Sequence, residues 1–195
     1  MKPKYLWWGA LALVVVIGGG MAVAVSLCLF CAPPSSIASL QTTPVAAVEV
    51  GTQIGQRLPE VQLRSLDDKP VQLAQLAGQP TVLYFSAVWC TSCRAEVKEL
   101  VYLKGQHQDR LQVVYVDITP QTDTPQALRE FAQEFSSPNF VWTLDDLNQP
   151  SVIPLKVNAL GTMYLLDAQG VIAFRGVSSV GTEQFKQTLA KLAGK

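Results

Sequence analysis

Cys90 and Cys93, in the stretch SAVWCTSCRAEV (residues 86–97), are the side chains best suited to chemistry. Two cysteines at this spacing can exchange with a disulfide, supply half of a zinc site, or sit inert in a core. The attacking species in disulfide exchange is the thiolate. A helix N-terminus favours it, because unpaired N–H groups and the helix dipole place about half a positive charge there. The run TVLYFSA (81–87) ahead of the pair is continuously apolar, the mark of a strand buried on both faces. CRAEVKELVYL (93–103) behind it puts Val97, Leu100, Val101 and Leu103 on one helical stripe. Cys90 is therefore expected where strand passes into helix, ionised by the dipole and facing solvent. Cys93, one turn on, is expected to resolve a mixed disulfide.

The residues around the pair refine this reading. Glu96 shares a helix face with Cys93, and a carboxylate there can take the proton that the resolving thiol loses. The alternative is an ordinary surface Glu. Trp89 is expected as an apolar lip beside Cys90 or as core, and Arg94 is expected to point to solvent. Thr91 and Ser92 between the cysteines are uncharged, which points to a thiol pKa of about 7 and a reducing potential rather than a strong oxidant. A structural zinc needs four ligands. The remaining candidates are the distant Cys28 and Cys31 and the single histidine, His107. No metal and no cofactor is expected.

The elements that hold the pair follow from pattern. EVQLRSL, the turn DDK and PVQL form a hairpin ahead of the core. LQVVYVDI (111–118) is a second buried strand. TPQALREFAQEF (124–135) is an amphipathic helix opened by a capping Thr124 and a first-turn Pro125. TMYLLD, the turn AQG and VIAFRGV form a late hairpin, and a final amphipathic helix starts near Thr182. The order ββ, βαβα, ββα implies an α/β domain over residues 53–195, with a central mixed sheet and helices on both faces.

Fifteen basic and fifteen acidic residues leave no net charge, so no basic field exists for nucleic acid. No charge occurs from Tyr5 to Val48. The apolar run Leu6 to Cys31 exceeds the roughly 20 residues that cross a bilayer, and Trp7 and Trp8 suit its interface. Lys2 and Lys4 precede it, and the next cation is Arg57. Residues 1–31 are thus expected as one membrane-anchoring helix with a cytoplasmic N-terminus, with a cleaved signal peptide as the competitor. Residues 32–52, rich in Pro, Ser, Thr and Ala, are expected as a linker. Cys28 and Cys31 form a second CxxC, read as buried apolar residues, a lipid attachment, or a second redox pair exchanging with Cys90 and Cys93.

The stretch IGQRLPEVQLRSLDDKPVQLAQLAGQPTVLYFSAVWCTSCRAEV resembles the TlpA/ResA-type branch of the thioredoxin superfamily. The resemblance covers about residues 53–195. It implies a thioredoxin-like three-layer fold and a membrane-tethered thiol–disulfide oxidoreductase facing the periplasm or an equivalent lumen. The implied partners are exported proteins with cysteine pairs, among them apocytochrome c, and a membrane electron donor of CcdA or DsbD type. It implies that Glu96 tunes the thiols. Two departures stand out. Thioredoxin's buried Asp six residues before the first cysteine is Tyr84 here. The family's cis-proline ahead of a Thr is Gly161 in NALGTMYLLD, so Gly161 is expected trans, with Gly161 and Thr162 lining the substrate side less rigidly. Pro150 and Pro154 break the helix expected before that loop.

Two rival functions remain. One is a disulfide-forming or isomerising enzyme, and the other a non-catalytic thioredoxin-fold binding or assembly module. A peroxiredoxin fits poorly, since residues 83–90 read LYFSAVWC rather than Pro-x-x-x-Thr-x-x-Cys.

Overall fold

The computed structural model describes residues 47–135 and 140–194. The anchor over residues 1–31, most of the linker, and Cys28 and Cys31 lie outside the described residues. Among those described, no helix is long and apolar enough to cross a membrane.

The strands are β1 (Gln62–Ser65), β2 (Pro70–Gln72), β3 (Thr81–Ser86), β4 (Gln112–Asp117), β5 (Phe140–Leu144), β6 (Thr162–Leu166) and β7 (Ile172–Val177). The helices are α1 (Cys93–His107), α2 (Pro125–Glu134) and α3 (Glu183–Ala193). One sheet contains all the strands in the order β2-β1-β5-β4-β3-β6-β7. Its centre is parallel, β3 with β4 and β4 with β5. Antiparallel partners flank it: β1 and β2 beyond β5, and β6 and β7 beyond β3. The mixed sheet and both hairpins match the sequence pattern. β5, with the sequence FVWTL, is an additional strand that carries the first hairpin into the main sheet.

The α-helices do not lie on both faces. β3, β4 and β5 step across the sheet in one direction, and right-handed crossovers then place α1 and α2 on the same side. Buried residues of α1, α2 and α3 share one core with Tyr84, Tyr115 and Trp142. The opposite face is covered by the 3-10 turn Leu73–Leu76 and by Leu155 and Val157, which pack on Leu83, Phe85 and Tyr164. Pro150 and Pro154 explain the second layer. Each disfavours a helix interior, and residues 151–156 form turns instead.

Local signals fix the ends of the helices. Thr124 Oγ1 accepts from Ala127 N, with Pro125 in the first turn, and Thr182 Oγ1 accepts from Phe185 N. Such a cap contributes about 1 kcal/mol. β3 is buried along its whole length, so the residue that follows it starts from a rigid support. At the N-terminal edge, Gly51 N donates to Arg57 O and Arg57 N to Glu49 O. The last residues of the expected linker therefore already pair with the domain.

Candidate active site

The chain leaves β3 at Ser86 and turns before α1. Cys90 N donates to Ala87 O at 3.1 Å, and Cys93 N donates to Cys90 O at 3.2 Å. The turn brings the two cysteine Cα atoms to 5.3 Å, and their sulfurs form a disulfide. The pair thus sits at the strand-to-helix junction, but Cys93 rather than Cys90 is the first helical residue. Cys90 lies just ahead of the helix end, where unpaired N–H groups still act on it. Solvent exposure is smaller than expected. Cys90 keeps 7% of its surface and Cys93 3%, so Cys90 is the more accessible of two buried residues. Ser92 Oγ stands 3.5 Å from Cys90 Sγ, a neutral hydroxyl contact that the spacing alone does not reveal.

Trp89 is 58% exposed, which rules out the core alternative. Arg94 does not point freely to solvent. It pairs with Glu134 of α2, and its guanidinium lies 4.9 Å from the centroid of the Phe131 ring. Its charge is thus matched by a carboxylate on α2.

Glu96 is more than a surface residue. Tyr84 donates its hydroxyl to Glu96 Oε2 at 2.8 Å, and Val180 N donates to Glu96 Oε1 at 3.3 Å. The carboxylate is gripped between β3 and the loop before α3. Burial, then the hydrogen bond and charge of Glu96, push the Tyr84 phenol well above its ordinary pKa. Tyr84 therefore remains a proton donor throughout the working pH range.

Gly161 replaces the cis-proline with a different backbone. Among the described residues no peptide bond is cis, and Gly161 has φ +79°. A Cβ here would lie 2.9 Å from Ser178 Oγ and 3.1 Å from Glu96 Oε2. The left-handed conformation favours glycine, and any side chain here would press on the neighbouring carboxylate. Gly161 N donates to Phe85 O at 2.8 Å, and Gly161 O accepts from Ser178 N at 2.9 Å. Thr162 is buried in β6, with its hydroxyl donating to Ala159 O at 2.7 Å. These polar groups of both residues are thus engaged within the fold. The preceding Leu160 packs partly buried against the core that holds both cysteines. Its backbone N–H and C=O bond to no described residue.

A second acidic group lies behind the turn. Val88 N, two residues before Cys90, donates to Asp117 Oδ2 at 3.1 Å and to Asp123 Oδ2 at 3.2 Å. Thr119 Oγ1 reaches Asp117 Oδ1 at 3.1 Å and Asp123 Oδ2 at 2.8 Å. Burial, then the neighbouring Asp123 carboxylate, push the Asp117 carboxyl up to about 7, against the pull of the Thr119 hydrogen bonds. The sequence signal is an Asp closing a buried strand, with a second Asp six residues on. Among the described residues, no three His, Cys, Asp or Glu side chains converge as a metal site requires.

Residues 54–175 match the AhpC/TSA family. The chain is 30% identical over 148 residues to the thioredoxin-like protein YneN of Bacillus subtilis, covering 72% of this chain and 81% of that one. It is 30% identical over 141 residues to the thiol:disulfide interchange protein DsbE of Pseudomonas aeruginosa, covering 71% and 74%. A crystal structure described as thiol:disulfide interchange protein DsbE, from Chlorobium tepidum, superposes with a TM-score of 0.63 at 20% identity, over 74% of this chain and all of that one. That likeness shows the fold. With a CxxC disulfide at the end of a thioredoxin-type parallel strand, the chain belongs to the thioredoxin-like AhpC/TSA family and is a thiol–disulfide oxidoreductase.

Proposed function

We propose that the chain reduces disulfides in exported proteins, with Cys90 as the attacking sulfur and Cys93 as the resolving one. The observation that carries this reading is the Cys90–Cys93 disulfide, with the more exposed of the two residues just ahead of α1. In the reduced chain, the Cys90 thiolate attacks one sulfur of a substrate disulfide, and the other substrate sulfur leaves and is protonated. Cys93 gives its proton to Glu96 and attacks Cys90. The substrate departs as a dithiol, and the chain is left in the disulfide state. Two electrons have passed to the substrate, and a dithiol donor in the membrane, of CcdA or DsbD type, must return them.

The reducing direction rests on what surrounds Cys90. Its nearest polar partner is the neutral Ser92 hydroxyl, and the adjacent cation Arg94 is paired with Glu134. Stabilisation of the thiolate then falls to the helix end alone, as in reductants rather than strong oxidants. Trp89 forms the apolar lip, and the free backbone of Leu160 takes the role expected of Gly161 and Thr162 against an extended substrate. The apolar run from Leu6 to Cys31 supports a tether that holds the domain on the far side of a membrane, with apocytochrome c cysteines as one client class.

Equilibration of the chain with glutathione tests the direction. A midpoint near thioredoxin's, about −270 mV, supports reduction, and one near DsbA's, about −120 mV, reverses it. Alkaline extraction of membranes tests the tether. A chain released into the supernatant would contradict it.

A further inference from the structure

Asp117 and Asp123 face each other under the turn that carries Cys90, and the reaction just described leaves them without a task. Asp117 closes β4 with no exposed surface, and Asp123, from the loop before α2, keeps 7%. Val88 N–H and the Thr119 hydroxyl each reach both carboxylates, and Thr119 N–H donates to Asp117 Oδ1 alone. Among the described residues no cation pairs with either carboxylate. The groups that face the pair offer no compensation. From β4 comes the Tyr115 hydroxyl, buried and without a partner. Arg94 of α1 is bound instead by Glu134 of α2. Beyond β5 comes Asp145, whose carboxylate is held by the backbone of Asp146 and Ser151. Two buried like charges this close resist ionising together, so the second proton is lost only at higher pH.

We propose that Asp117 and Asp123 share one proton near neutral pH and act as positioning residues for Cys90, holding its turn through Val88 N–H and tuning thiolate formation by their charge. The pair carries one negative charge below its upper ionisation and two above it. That second charge opposes formation of the Cys90 thiolate, so rising pH favours the thiolate less steeply than an isolated thiol would show. The ionisation of Asp117 at about 7 sets where this happens. In Asp117→Asn or Asp123→Asn one carboxylate is lost and the site can no longer carry two charges, while the amide oxygen can still accept from Val88 N–H.

The proposal rests on Cys90 as the attacking thiol, and its test separates the two ideas. The reduced full chain is alkylated with iodoacetamide across pH, and the modified cysteine is identified by peptide mass. The expected result is a wild-type profile that falls progressively below both variants as pH rises from 6 to 8, reaching a deficit of up to about twofold near pH 8 for a thiol of pKa about 7. That ceiling corresponds to one unit of thiol pKa. Superimposed profiles, or one constant ratio at all pH values, would overturn the pair's role. Alkylation of Cys93 in place of Cys90 would overturn the assignment of the attacking thiol. The carboxyl stretch of the unmodified oxidised chain gives a second reading, independent of both variant folding and thiols. A protonated carboxyl that ionises near pH 7 is expected, and its absence from about pH 6 to 8 would overturn the shared proton.

Discussion

The Tyr84 hydroxyl donates to Glu96 Oε2 across 2.8 Å, joining a β3 residue to the first turn of the helix that Cys93 opens. The phenol occupies the place where thioredoxin keeps a buried carboxylate. It moves the acid from the strand to the helix, and it supplies the donor that orients the acid. Val180 N fixes the second oxygen.

Tyr84→Phe should leave Glu96 with Val180 N–H as its one protein donor. Loss of a hydrogen bond to a charged group costs about 1–3 kcal/mol, with the lower end expected because Glu96 is only partly buried. Urea unfolding reads this. Turnover should fall, but by less than the roughly hundredfold typical of losing the proton acceptor itself. Glu96→Gln should fall further. Equal turnover in Tyr84→Phe and wild type would deny Tyr84 any part in placing the carboxylate.

Gly161→Ala should destabilise the chain by about 1–3 kcal/mol, since a side chain at φ +79° is strained. Its Cβ would also press on Glu96 Oε2 and Ser178 Oγ. Disulfide-exchange activity should drop with stability, because the displaced group is the proposed proton acceptor. Gly170→Ala, also at positive φ but with open space around it, is the control and should cost stability without activity.

Stability should fall as pH rises through neutrality. Asp117 titrates at about 7 in the folded chain against an ordinary value of 3.8. The folded state therefore binds more protons than the unfolded state between those values. Its stabilising contribution is fully present below about pH 4 and lost as pH passes about 7, the reverse of a salt-bridged carboxylate. The effect is of the order of a few kcal/mol and is read by urea unfolding at a series of pH values. Asp117→Asn should flatten the slope.

Arg94→Ala should cost about 1 kcal/mol or less, because its ion pair with Glu134 is partly solvated and the Phe131 contact adds a modest cation–π term. A large drop in melting temperature would show that this bridge between α1 and α2 is a main support of the site.

The cysteine pair and its flanking elements were legible because their signals are local. The continuous apolar runs of β3 and β4 and the Thr-Pro opening of α2 each lie within a few residues. β5 escaped because FVWTL is short, and a brief apolar run has no period that separates strand from loop or buried helix. The single-sided helical layer depends on strand order, which composition does not encode. The carboxylate contacts are longer-range still. Val88 and Asp123 are 35 residues apart, and Glu96 and Val180 are 84 apart. The register of β3 against β4, with Ser86 opposite Asp117, brings the end of β4 under the turn that carries Val88.

The most direct test is to trap the reaction halfway. A Cys93→Ala chain mixed with a disulfide-bonded protein substrate should accumulate a mixed disulfide, and peptide mass mapping should place it on Cys90. Substrate linked instead to Cys28 or Cys31, or no linked species while the wild-type chain reduces the same substrate, would contradict the mechanism.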